Sequence, residues 1–180
     1  MAEIKSTLDL VMEKTRDLVL SREERKAMER EEQMKKVPAA VQRYLEGATG
    51  LERLLEELDD FPEHLKPEIR CLAKRCLLDA LVPGEGGVRS RDALAALAED
   101  REKPWREQLA LLFEDHERSR REMLPRIRAE HLEALAAEGI RGDAVVVRPE
   151  RSSQWQAVQQ ELSSRLEEIR AAWRAQLASD

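Results

Sequence analysis

The sequence predicts an all-α protein: a small helical bundle with a C-terminal antiparallel helical hairpin, coiled-coil-like, that carries a short β-like tip. Three observations carry that prediction. Charged residues make up 38% of the 180-residue chain and aromatics only 3%, a mix dominated by Ala, Leu, Glu and Arg that suits long helices better than a thick globular core. Apolar residues recur at three- and four-residue steps through most of the length, which argues against disorder. The only β-looking stretch is Gly139-Ile140-Arg141-Gly142-Asp143-Ala144-Val145-Val146-Val147-Arg148-Pro149, set between two long helical patterns.

Taken in order, Ile4, Leu8, Val11, Met12, Leu18 and Val19 form one helical stripe. Ser21-Arg22-Glu23-Glu24 reads as a capping box that opens a second helix over 22–36. That helix holds little beyond Ala27, Met28 and Met34 to bury, so it should be solvated or stabilised only on meeting another protein; either way residues 1–36 read as an extension rather than core. Pro38 suits the first position of a new short helix with Val41, Tyr44 and Leu45 inward and Gly47 as its stop. Thr49-Gly50-Leu51-Glu52 reads as a second capping box, before Leu51, Leu54, Leu55 and Leu58; Phe61-Pro62 closes that helix. Pro67 opens the most apolar run, with Ile69, Leu72, Ala73, Cys76, Leu77, Ala80 and Leu81 on its buried side. It is the expected centre of a bundle over 37–100.

Val82-Pro83-Gly84-Glu85-Gly86-Gly87 is a glycine-rich break. It lacks both the preceding strand and the Gly-Lys-Ser/Thr that a phosphate loop needs, and so reads as a turn. Ser90 is the expected cap of a short helix with Leu94 and Leu97.

The third region, 101–180, is the hairpin. From Pro104, the residues Trp105, Leu109, Leu112, His116, Met123 and Ile127 share a stripe. Between Phe113 and Met123 no large apolar group occurs, which predicts a largely solvated rod projecting between two packed regions, and Pro125 should kink the helix or divide it. Gly139 and Ile140 fit a Schellman ending against Leu135. Gly142-Asp143 can turn a two-residue hairpin within the β-like tip at 140–148. Ser152 or Ser153 caps the last helix, where Trp155, Val158, Leu162, Leu166, Ile169, Trp173 and Leu177 follow a heptad.

Chemistry-bearing patterns are absent. Three residues before His116 stands Phe113, and three before His131 stands Arg128, so the Glu-x-x-His pairs of helical di-metal sites fail; His64 follows Glu63 at the wrong spacing. Cys71 and Cys76 point to different sides of one helix and read as small buried hydrophobes. Arg141-Gly142-Asp143 matches an adhesion tripeptide, but a tight turn accounts for it. The arginines at 118, 120 and 121 are interleaved with Glu114, Asp115, Glu117 and Glu122, as on a self-compensated face. No catalytic residue, cofactor or metal site is assigned.

Two ends of the chain carry a resemblance. Glu3-Ile4-Lys5-Ser6-Thr7-Leu8-Asp9-Leu10-Val11-Met12-Glu13-Lys14-Thr15, and Gly139-Ile140-Arg141-Gly142 with Ala144-Val145 and a later Trp, resemble an uncharacterised bacterial family of small helical proteins. The resemblance implies a bacterial, cytoplasmic protein and no activity, cofactor or site. The preference for Arg over Lys points the same way, and no signal-peptide core or membrane-length apolar run is read.

The expected function is a non-enzymatic adaptor, assembly or scaffold protein working through protein–protein contacts. Candidate partner-binding residues are Val145, Val146, Val147, Trp155 and Trp173; for the tryptophans, core packing is the competing reading. Self-association along the Trp155–Trp173 stripe would compete with an intramolecular hairpin. The alternative function is a ribosome- or RNA-associated factor using the Arg-rich stretch 118–128, against which the net charge of −6 argues. A helical metal protein or enzyme is the third class.

Overall fold

The computed structural model describes residues 21–140, 142 and 145–178. The predicted stripe from Ile4 to Val19 lies outside them. The described chain is all-helical, with six α-helices: α1 (Arg22–Leu45), α2 (Leu51–Asp59), α3 (Lys66–Asp79), α4 (Val88–Leu97), α5 (Lys103–Ala137) and α6 (Ser153–Ala178). Among the described residues there is no strand, and no helix is long and apolar enough to cross a membrane.

α1 starts at the expected capping box. The Ser21 hydroxyl accepts from the Glu24 amide at 3.1 Å, and the Glu24 carboxylate accepts from the Ser21 amide at 2.6 Å. Residues 21–32 are all exposed, an arm with no apolar face to bury. Pro38 does not begin a helix, as the sequence suggested; it sits inside α1. An internal proline costs about 3 kcal/mol. Burying Val37 and Val41, at about 1.5–3 kcal/mol each, offsets that cost and keeps the helix continuous. α1 ends in a Schellman motif: Gly47, at φ 82°, donates to the Tyr44 carbonyl and Ala48 to that of Arg43.

The second predicted capping box is corrected too. The cap of α2 is Gly50, with no side-chain bond, which places Glu52 one position too early to reach back. α3 is the hub. It packs on α1, α2, α4 and α6, with Ile69, Ala73, Leu77 and Leu78 fully buried.

The glycine-rich break forms a turn of 3-10 helix, Glu85–Gly87, that runs straight into α4. Ser90 therefore is not a cap; it lies inside α4, buried, with its hydroxyl unpartnered. Gly87 is fixed by packing, since a Cβ there would lie 1.8 Å from the Val82 carbonyl oxygen and 2.9 Å from Phe113. Gly87→Ala is expected to destabilise the fold by at least the roughly 1–3 kcal/mol of ordinary overpacking, read as a lowered urea midpoint. A wild-type midpoint would remove the packing role.

α5 is about 50 Å long and is not divided at Pro125. The polar stretch Glu114–Glu122, expected as a largely solvated rod, is partly covered. His116 is buried, and Asp115, Glu117, Ser119 and Arg120 are half-buried. The cover comes from elements distant in sequence: the Gly84 turn, the Pro149–Arg151 turn of 3-10 helix and the start of α6. The end of α5 is the predicted Schellman motif, with Gly139 at φ 84° donating to Ala136 and Ile140 to Leu135.

Within 140–148, the Val145 amide bonds back to the Gly142 carbonyl at 3.2 Å, a turn rather than a ladder contact. Arg141, Asp143 and Ala144 lie outside the described residues. Ser152 caps α6, its hydroxyl accepting from the Trp155 amide at 3.1 Å. Trp105 bonds Gln176, Asp115 pairs with Arg165 and His116 meets Gln159, so α5 and α6 run in opposite directions. The α6 stripe (Trp155, Leu162, Leu166, Ile169, Trp173 and Leu177) is buried, and α6 touches α3 as well as α5. One hydrophobic cluster draws members from all six helices.

Candidate partner-binding groove

The antiparallel pairing fixes where the surface is unusual. α6 begins at Ser153, six residues before the Gln159 that meets His116, so among the described residues the end of α5 well beyond His116 has no α-helix facing it. Among the described residues the Pro149–Arg151 turn covers part of it, and Ile127 is the last fully buried residue of α5. Between the two lies an open groove of about 630 Å³. Leu124, Pro125, Ala129, Leu132 and Pro149 supply its apolar lining, and Arg120, Arg121, Arg128, Glu117 and Glu150 its charges. Leu132 is 39% exposed, which leaves apolar area to cover.

Charge is distributed unevenly along this half of α5. Residues 118–128 contain five arginines and one glutamate in a chain of net charge −6. Three arginines are compensated: Arg118 by Asp115, Arg120 by Glu85 at 2.5 Å with Glu117 at 3.8 Å, and Arg126 by Glu130 at 3.3 Å. The Arg120 guanidinium, chiefly by its hydrogen bond, holds the Glu85 carboxyl below its usual range. Arg121 and Arg128 have no ion-pair partner among the described residues. They are seven apart, hence on one face and about 10 Å apart along the axis. Pro125 between them has no N–H, so the Arg121 carbonyl receives no helical bond.

A smaller recess of about 380 Å³ shares Arg120, Leu124 and Glu150 with the groove and reaches His116. The Gln159 amide nitrogen lies 2.9 Å from His116 Nε2, and the Trp155 ring meets the imidazole edge-on at 5.8 Å. This is a packed histidine with no nucleophile beside it. His64 and His131 are exposed, and no cluster of three His, Cys, Asp or Glu suited to a metal occurs among the described residues. Cys71 and Cys76 are free and half-buried; burial, with Asp79 nearby, raises the Cys76 thiol and disfavours a reactive thiolate.

The predicted contact residues separate into two groups. Trp155 and Trp173 are buried side chains, and Trp155 also lines the recess at His116. Val145 and Val147 are half-buried while Val146 is 78% exposed. None of the valines lines the groove; they precede the Pro149–Arg151 turn that does.

Sequence reasoning missed a buried polar cluster. Lys74, 2% exposed, places its amine 2.6 Å from Glu102 and 3.4 Å from Glu99. The Glu102 carboxylate, fully buried, also accepts from the Trp173 indole at 3.1 Å and the Glu99 amide at 2.8 Å. The available signal was a lysine between Ala73 and Leu77 on the most apolar helix face. Every charge in this cluster is engaged by another residue of the chain, so it holds the bundle together rather than presenting a reactive group.

Comparison with protein-family models, with curated proteins and with solved structures finds no match in any of the three.

Proposed function

We propose that the chain is a non-enzymatic helical adaptor that holds a partner protein against the distal half of α5. On this reading, the bundle over 37–100 is a base, the α5–α6 hairpin with its valine tip projects the contact surface, and residues 1–36 form a second, extended contact. The observation that carries it is the far part of α5, where an apolar groove with the exposed Leu132 side chain stands together with two arginines that no carboxylate neutralises among the described residues. Partner interfaces combine such apolar centres with arginine at the rim.

The ribosome- or RNA-associated alternative has weaker support. Three of the five arginines in 118–128 are already paired within the chain, which leaves two for phosphate. Two phosphate contacts give a salt slope of only about −1.4 on a single strand.

The test is a double substitution, Leu132→Glu with Val146→Asp, in the full chain. Both positions are exposed, so helicity and melting temperature should stay close to wild type. Recovery of the partner co-purifying from the native host should fall about tenfold or more, as loss of one interface anchor gives. Unchanged recovery contradicts the proposal.

A further inference from the structure

We infer that the groove takes an amphipathic helix of the partner protein, bearing two carboxylates seven residues apart with a large apolar side chain between them. The inference rests on the adaptor reading and specifies what that surface recognises. Arg121 and Arg128 stand on one face of α5, two turns apart, and neither is neutralised among the described residues. Leu124 and Pro125 fill the space between them. A second helix laid along α5 repeats at the same 10 Å interval, so carboxylates at positions i and i+7 meet both guanidiniums together. The residue at i+3 or i+4 then points at Leu124 and Pro125, in the helix-in-groove mode.

An extended peptide is a poorer fit. At about 3.3 Å per residue it would need acids three apart, and its backbone would find no strand edge here. The other charges at the groove do not supply the missing neutralisation: Glu117 lies with Arg120, and Glu150 is the single acid on the opposite wall. An acidic occupant is therefore favoured over a basic one, and two open guanidiniums around an apolar floor suit a peptide better than a polyphosphate backbone.

The experiment is selection from a displayed library of helical peptides, using the full chain and its Arg121→Glu/Arg128→Glu variant as baits. A single-stranded RNA oligonucleotide serves as the competing probe. Wild type should enrich Asp or Glu at i and i+7 with Leu, Ile, Met or Phe between. The variant should bind those same peptides about a hundredfold more weakly, as loss of two charge-assisted contacts at about tenfold each predicts. Enrichment of acids three apart, of apolar peptides without acids, or of peptides indifferent to the charge reversal overturns the inference while leaving a groove-binding adaptor intact. Preferential binding of the RNA overturns it in favour of nucleic acid. Failure of the wild-type bait to enrich any peptide that Leu132→Glu weakens removes the adaptor reading as well.

Discussion

Glu102→Ala is expected to lower stability by about 3–5 kcal/mol, the cost of leaving a buried ammonium without its partner. For a chain of this length that corresponds to a melting temperature lower by roughly 10 °C. The reason is local and specific. Lys74 has its amine 2.6 Å from Glu102, and its other carboxylate, Glu99, is farther at 3.4 Å and half exposed. The variant also deprives the Trp173 indole and the Glu99 amide of their acceptor. Replacing both charges, as Lys74→Met with Glu102→Leu, should recover most of the loss, because an apolar pair of similar volume removes two desolvation costs along with one attraction. A double variant as unstable as the single one would mean that the cluster is needed for something other than mutual neutralisation.

The same pair predicts an acid limb. Burial acts to raise the Glu102 carboxyl, but the hydrogen bonds from Lys74, the Glu99 amide and Trp173 together outweigh it and hold the group below its ordinary value near 4.5. A carboxyl lower in the folded than in the unfolded chain contributes stability above its unfolded pKa and loses it as pH falls through the folded one. Stability should therefore decline below about pH 4.5. Glu102→Gln should flatten that decline, measured by chemical denaturation across the range.

Trp173→Ala carries the second large effect. The side chain is 0% exposed, and truncating a buried tryptophan costs about 3–5 kcal/mol through lost transfer energy and the cavity left behind. Trp173→Phe keeps much of the volume and isolates the indole hydrogen bond to Glu102, for which about 1–3 kcal/mol is expected. Because Trp173 and Glu102 share a contact, their losses should not add, and the shortfall in a double-mutant cycle measures the coupling. Strict additivity would contradict the description of one connected cluster. Both residues join the start of α5 to the end of α6, so both variants should loosen that end of the helix pair first.

How much of this was legible in the sequence depends on the separation between partners. The Ser21 capping box and the Gly139 Schellman ending are decided by residues within five positions of each other, and both were readable. The α6 stripe was readable because its heptad spacing survives whatever it packs against. The continuous helix through Pro38 was not, because the burial that offsets the proline comes from packing on α3, outside any local window. Cover over Glu114–Glu122 was missed for the same reason: Glu85 reaches Arg120 from 35 positions away, and Gln159 reaches His116 from 43. The Lys74–Glu102 pair is separated by 28 positions, and local periodicity assigns a lysine to solvent. The groove was not legible either, since it lies where, among the described residues, α6 starts too late to face the far part of α5.

The most direct measurement is a hydrogen–deuterium exchange footprint of the full chain, free and bound to the partner that co-purifies from its native host. Added protection is expected over residues 117–132 and at the Pro149–Arg151 turn, with the α3 core unchanged. Protection confined to the α1 arm, or a chain that co-purifies with nothing, would contradict it.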